Sequence, residues 1–212
     1  MKTAVIAGAT GLIGKQLLEM LLVSARYAKV VALTRSPLTS HHPKLRNIIT
    51  PFSDLERSIK GLHSDDVFCC LGTTMAKAGS KEKFYEVDFQ YPLNLASATL
   101  QGGAKQYLLV SALGADTRAS IYYNRVKGEV EKAISETGFE TVHIFRPSLL
   151  LGPRAEKRPG EDAARALYTL FGFAIPMKYK AISSEKVASS MMDAAARNMK
   201  GVFIHESRDM QN

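Results

Sequence analysis

Three glycines, Gly8, Gly11 and Gly14, stand where an apolar run meets an amphipathic segment. A helix that starts on such a turn has unpaired N–H groups and a partial positive charge at its first turn, and both attract phosphate. Gly8 allows a tight turn, Gly11 lets a pyrophosphate approach the backbone, and Gly14 lets the helix pack close to the strand before it. Thr10, Leu12 and Ile13 fill the positions between and share the same anion site. Far downstream, Tyr123 and Lys127 are spaced by one helical turn and lie on one face. A phenol beside an ammonium is suited to moving a proton, because the cation favours the phenolate. Tyr122 is the rival phenol, five residues from Lys127 and on a poorer face. Ser111 closes an apolar run and supplies a hydroxyl that can stabilise charge developing on an oxygen.

These residues need elements that bring them together. Thr3–Ala7 reads as a buried strand and Leu12–Ser24 as a helix with Leu17, Leu18, Leu21 and Leu22 on one face. Lys29–Leu33, Asn47–Thr50, Asp66–Leu71, Gln106–Val110 and Thr141–Phe145 read as further strands. Asp54–Lys60 reads as a brief helix capped by Ser53. Ser80 caps a long helix to about Leu100 that stops at Gly102 and Gly103. Another helix covers roughly Ile121–Glu136. Alternating strands and helices predict an α/β fold, a doubly wound parallel sheet of Rossmann type in a single domain spanning residues 1–212. Every chemical motif above falls at the carboxyl end of a strand, where such sheets bind ligands. In the last third, Pro153–Asp162 reads as a loop, Glu161–Phe171 and Ser184–Asn198 as helices, and Val202–His205 as a final strand. The stretch of about 150–185 is expected to form a small substrate-side cap.

Bulk composition narrows the function classes. A chain of 212 residues with 46% apolar content can bury one sizeable core without a staple. Cys69 and Cys70 are adjacent in an apolar run, which predicts two buried thiols in a reducing compartment. No second Cys/His group has ligand spacing, so no metal is expected, and His41 and His42 read as solvated loop. The Gly-rich turn comes within the first dozen residues, too soon for an export segment, and no apolar stretch is long enough to span a bilayer. A cytoplasmic location is the resulting expectation. The formal charge of +8 favours anions, read first as an anionic cofactor and substrate. The basic residues are scattered and lack an aromatic-basic pattern, so nucleic acid is the weaker reading.

The second strand ends at Thr34-Arg35, with no carboxylate nearby to accept from ribose hydroxyls. An arginine there can pair with a 2′-phosphate, so NADP(H) is expected over NAD(H). The G-x-x-G-x-x-G spacing, Ser111 and the Tyr123/Lys127 pair together resemble an atypical short-chain dehydrogenase/reductase. Cys70-Leu71-Gly72-Thr73-Thr74, Ser111-Ala112-Leu113-Gly114-Ala115-Asp116, Lys127-Gly128-Glu129-Val130-Glu131 and Arg158-Pro159-Gly160-Glu161 resemble the Tat-interacting-protein oxidoreductase branch of that superfamily, which has bacterial relatives.

The resemblance implies site roles residue by residue. Tyr123 exchanges a proton with the substrate oxygen, Lys127 also binds the nicotinamide ribose, and Ser111 bonds the substrate carbonyl. Leu71, Gly72 and Thr73 lie along the cofactor's ribose side, and Asp54 meets the adenine amine. Pro147 and the backbone through Leu150 border the carboxamide, while Arg146 is read as structural. Asp88 stands where many relatives of this kind carry a relay asparagine, and either replaces the relay or pairs with Lys127. The activity implied is hydride transfer to or from a carbonyl, alcohol or enone. The alternative is an NADPH-sensing module with a protein partner and little turnover. A monomer or a homodimer fits either.

Overall fold

The computed structural model describes residues 1–151, 179–197 and 199–211. Its main sheet has the order β3-β2-β1-β4-β5-β6-β9, with every adjacent pair parallel. The strands are β1 (Lys2–Ala7), β2 (Tyr27–Thr34), β3 (Leu45–Ile49), β4 (Asp66–Cys69), β5 (Gln106–Val110), β6 (Thr141–Arg146) and β9 (Gly201–Glu206). The chain winds outward from β1 to β3, then returns to place β4 on the other side of β1. That reversal opens a crevice between the carboxyl ends of β1 and β4. A separate two-stranded pair joins β7 (Leu150–Leu151) to β8 (Ile182–Ser183). The loop and helix expected over 153–171 lie outside the described residues, as does most of the expected cap.

Period-two alternation divides the buried side chains between two layers. Ala4, Ile6, Val30, Ala32, Phe68 and Leu108 pack with α1 (Leu12–Val23) and the late helix α7 (Ser184–Ala196). Val5, Ala7, Val31, Leu33, Val67 and Leu109 pack on the opposite face against α2 (Leu55–Ser58), α5 (Tyr91–Gln101) and α6 (Tyr122–Ser135). Strands buried on both faces explain why their sequences read as continuous apolar runs.

Several local expectations need correction. The brief second helix starts as a 3-10 turn at Phe52–Asp54, and Ser53 does not cap it. The third buried strand ends at Cys69, so Cys70 and Leu71 already belong to the loop. Cys69 is buried but Cys70 is only half-buried, and both are free thiols. His42 is half-buried, with Nδ1 accepting from the Lys44 N–H at 3.2 Å. A short helix α3 (Met75–Ala78) precedes Ser80, and the long helix expected after Ser80 is broken into α4 (Lys81–Tyr85), a π-turn at Glu86–Gln90, and α5. Ser80 does cap α4, accepting from the Lys83 N–H at 3.1 Å. Pro92 lacks the N–H that would return to the Asp88 carbonyl, and the ladder widens at that point.

Two buried polar clusters hold the sheet ends. At the amino ends of the strands, the buried Asp66 carboxylate accepts from Tyr27 Oη at 2.7 Å, Lys2 Nζ at 2.8 Å, Gln106 Nε2 at 3.2 Å and Arg26 Nε at 3.3 Å. One carboxylate therefore joins β1, β2, β4 and β5. Between β6 and β9, His143 Nδ1 lies 3.0 Å from His205 Nε2, and the His143 ring stacks on Phe203.

Burial, with help from His205 and Arg197, pushes the His143 pKa down from 6.5 to about 4. The unfolded chain then binds more protons than the fold between those values. Stability rises with pH across that window and is lost as pH falls from about 6.5 toward 4. Urea unfolding of the wild type should show this loss, and His143→Phe should flatten the slope. An unchanged slope in the variant would assign the acid sensitivity elsewhere.

Candidate active site

The Gly-rich turn is built by close backbone contacts. Gly8 has φ +85°, a conformation that side chains disfavour, and a Cβ there would sit 2.5 Å from the Cys70 carbonyl oxygen. A Cβ on Gly14 would fall 2.0 Å from the Gly8 carbonyl oxygen. The first turn of α1 is therefore pressed against the end of β1, as the spacing predicts. Gly11 is the N-cap, no side chain caps the helix, and its first turn carries no acid. The N–H groups of Leu12, Ile13 and Gly14 face the crevice end without a competing anion. Thr10 and Gly11 are exposed there. A pyrophosphate fits this cradle on charge and on hydrogen-bonding capacity.

Arg35 is exposed just past β2 and makes no ion pair among the described residues. Thr34 is buried, and its hydroxyl donates to the Ser36 carbonyl at 2.7 Å while accepting from Asn47 Nδ2 at 2.7 Å. Thr34 thus shapes the loop that carries Arg35. Asp54 is exposed beyond β3.

On the other side of the crevice, the loop after β4 passes over an ion pair. Lys127 Nζ lies 2.8 Å from Asp88 Oδ1, and both side chains are buried. Asp88 Oδ2 accepts from the Thr73 N–H at 2.8 Å. Gly72 covers the pair: a Cβ there would lie 3.4 Å from Asp88 Oδ1 and 3.7 Å from Lys127 Nζ. The ammonium approaches Asp88 Oδ1 off the hydrogen-bond direction, so that oxygen has ion-pair contact but no hydrogen bond. Burial disfavours the Lys127 ammonium, but the Asp88 carboxylate beside it and the Tyr123 phenol outweigh it and raise its pKa. Lys127 is held as a cation. The π-turn is what carries Asp88 to this depth.

Tyr123 and Tyr122 are told apart by their partners. Tyr122 donates to the Lys81 carbonyl at 3.1 Å, away from Lys127. The Tyr123 hydroxyl makes no hydrogen bond among the described residues, and its ring packs on Phe84 at 5.5 Å. Ser111 is buried and donates to the Glu131 carboxylate, one turn beyond Lys127 on α6. Glu131 also takes Arg146 Nε at 3.0 Å and Nη2 at 2.5 Å, and Arg146 Nη1 reaches Glu206 at 3.2 Å. Arg146 is thus structural, as expected. The sequence reading missed Glu131; its only signal was a carboxylate one turn past Lys127. Pro147 accepts from the Leu113 N–H at 3.0 Å, and Leu150 opens β7. Burial pushes both the Cys69 and Cys70 thiols up, so neither is a ready nucleophile.

Residues 4–170 match the NAD dependent epimerase/dehydratase family. The chain belongs to this family. Its members depend on a nicotinamide dinucleotide, which agrees with the cradle described above. Protein HTATIP2 of Rattus norvegicus is 38% identical, over 83% of this chain and 76% of that protein. The protein fmp52, mitochondrial, of Emericella nidulans is 33% identical, over 78% of this chain and 74% of that protein. Among solved structures, WbmH of Bordetella bronchiseptica in complex with NAD+ superposes with a TM-score of 0.74 at 17% identity, covering 98% of this chain and 76% of that one. MoeE5 in complex with UDP-glucose and NAD gives 0.71 at 19% identity, covering 95% and 74%. At such identities the likeness concerns the fold. The fungal relatives named mitochondrial overturn the cytoplasmic expectation. A leaderless-looking start and missing apolar spans were too weak a basis for it. No described helix is long and apolar enough to cross a membrane.

Proposed function

We propose that this chain is an NADP(H)-dependent oxidoreductase acting on a carbonyl, alcohol or enone. The observation that carries the reading is a pair of features at the point where strand order reverses. A helix N-terminus with no capping side chain and no acid lies on one side, and a buried ammonium held below the loop after β4 lies on the other. In this reading Gly8, Thr10, Gly11, Leu12, Ile13 and Gly14 hold the pyrophosphate. Thr34 and Arg35 flank the adenosine phosphate, and Asp54 meets the adenine. Leu71, Gly72 and Thr73 run along the ribose, and Pro147 and Leu150 border the carboxamide. A bound nicotinamide would supply or accept the hydride.

Tyr123 is the proposed proton donor or acceptor, because its hydroxyl is uncommitted while that of Tyr122 is used. Lys127 orients the ribose and acts electrostatically on the phenol. Ser111 reaches a substrate oxygen as a donor once its single hydroxyl hydrogen turns from Glu131. Tyr123→Phe should lower turnover of a reactive carbonyl by about 10²–10⁴-fold, the usual scale for general acid–base catalysis, with cofactor affinity nearly unchanged. Full activity in that variant would remove the assignment.

The preference for NADP(H) rests on Arg35, whose guanidinium is exposed and free of ion pairs among the described residues at the end of β2. Arg35→Ala should weaken NADPH binding by about 1–3 kcal/mol and leave NADH nearly unchanged, as read by calorimetric titration. Equal losses for both cofactors would contradict the preference. The engaged Ser111 hydroxyl favours a second reading, a cofactor-sensing module that binds a protein partner. That reading is supported instead if tight NADPH binding comes with no turnover across a broad carbonyl panel.

A further inference from the structure

We propose that a cavity near the amino ends of β1, β2 and β3 is a second anion-binding site, which takes the phosphate group of a small phosphorylated metabolite and is separate from the crevice at the glycine-rich turn. The proposal does not draw on the oxidoreductase reading.

The cavity has a volume of about 350 Å³, within the size range of small-molecule pockets. Thr3, Lys29, Arg46 and Ile48 line it from the sheet. Thr3 pairs with Lys29, Val31 with Arg46 and Leu33 with Ile48, so all four lie on the face that packs against α2. The end of α2 and the loop after it close the other side, and that loop brings Lys60 and His63. Thr3 precedes Gly8 by five residues of β1. The two anion sites are therefore about 16 Å apart along the strand, at opposite ends of the sheet.

The neighbouring cations are already committed. Lys2 and Arg26 pair with Asp66, Lys44 Nζ donates to the Ser24 carbonyl at 2.8 Å, and Lys105 and Lys200 pair with Glu140. Lys29, Arg46 and Lys60 make no ion pair and no side-chain hydrogen bond among the described residues, and all three line this cavity. No carboxylate lines it. Asp65, next to the loop, is engaged from its own side: Oδ2 accepts from the Thr3 N–H at 2.7 Å, and Oδ1 lies 4.0 Å from His63 Nε2. The Gly61 and His63 N–H groups also lack a hydrogen-bond partner among the described residues. Like charges around a concavity repel one another and focus their field into it, and an anion seated between them relieves that repulsion. Lys29 is half-buried, so its charge is less screened than one on an open surface.

Three cations from β2, β3 and the loop after α2 suit a group with two or more negative charges spread over several oxygens. Phosphate meets that need, since the Arg46 fork can take two oxygens while the lysines act as point charges. A single carboxylate would leave part of the positive charge unmatched. Ile48, Ile59 and Leu62 add apolar wall for the carbon skeleton of a metabolite. A nucleic-acid backbone needs a track of open cations instead, and the cations beside this cavity are paired.

The test titrates inorganic pyrophosphate and, separately, ribose 5-phosphate into the full chain at fixed ionic strength, following backbone amide resonances. Both probes should shift Gly61, Leu62 and His63, and the tighter of the two tells whether the site suits a diphosphate or a monoester. Lys29→Gln and Arg46→Gln should each weaken that response by about tenfold or more, the scale for losing one charge-assisted hydrogen bond. Any shifts at Leu12, Ile13 and Gly14 should be the same in these variants as in wild type. No shift at Gly61, Leu62 and His63 with either probe, or a shift that both variants leave intact, overturns the proposal. A DNA duplex should bind no more tightly than pyrophosphate. A duplex that binds more tightly, and shifts Lys44, Lys105 and Lys200 along with the cavity, assigns this surface to nucleic acid and also overturns the proposal. The amides of Leu12, Ile13 and Gly14 report the glycine-rich turn, so failure there is read separately from failure here.

Discussion

The contact between Gly14 and the carbonyl of Gly8 constrains the rest of the structure. No side chain fits between them, since a Cβ would meet that oxygen at 2.0 Å. The helix α1 therefore begins almost on top of β1 and aims its open N–H groups over the end of the sheet. Gly8 in turn lies against Cys70 across the point where strand order reverses. Two backbone contacts thus create both the crevice and its affinity for anions. The helices on either face then need only fill the two apolar layers that alternation along the strands dictates.

Within this frame, buried charge is handled by pairing. Asp66 collects four donors at the amino ends of the strands, where it holds the sheet together far from the chemistry. Glu131 joins Ser111 and Arg146 below the crevice, and Asp88 meets Lys127 beside it. Each of these carboxylates would be costly alone and is satisfied by a cation from another element. The difference lies in position. Asp66 and Glu131 tie elements together, whereas Asp88 meets Lys127 beneath the loop after β4.

The parts of this arrangement that depend on local rules were legible in the sequence. Alternating apolar runs and amphipathic stretches located the strands, α1 and α6 to within a few residues, and the glycine spacing located the turn at the end of β1. The Tyr123/Lys127 spacing placed both residues on α6 one turn apart, because helix geometry alone decides it. What was not legible depends on non-local contacts. The π-turn needs Pro92 to leave the Asp88 carbonyl without its usual partner, and its effect is to sink Asp88 against Lys127. The engagement of Ser111 depends on Glu131 and Arg146 arriving from α6 and β6. Cys70 was read as buried because it sits in an apolar run, but the strand ends one residue before it. Cellular location is set by signals unrelated to the fold, and the relatives named mitochondrial contradict the reading made from composition.

The most direct measurement of the central claim is amide hydrogen exchange at Leu12, Ile13 and Gly14, with and without saturating NADPH. These amides open the first turn of α1 and have no capping side chain. If they hold the pyrophosphate, their exchange slows markedly on binding, while exposed amides of β9 are unaffected. Exchange at these three positions that stays the same with NADPH, NADP+, NADH and NAD+ would contradict the account.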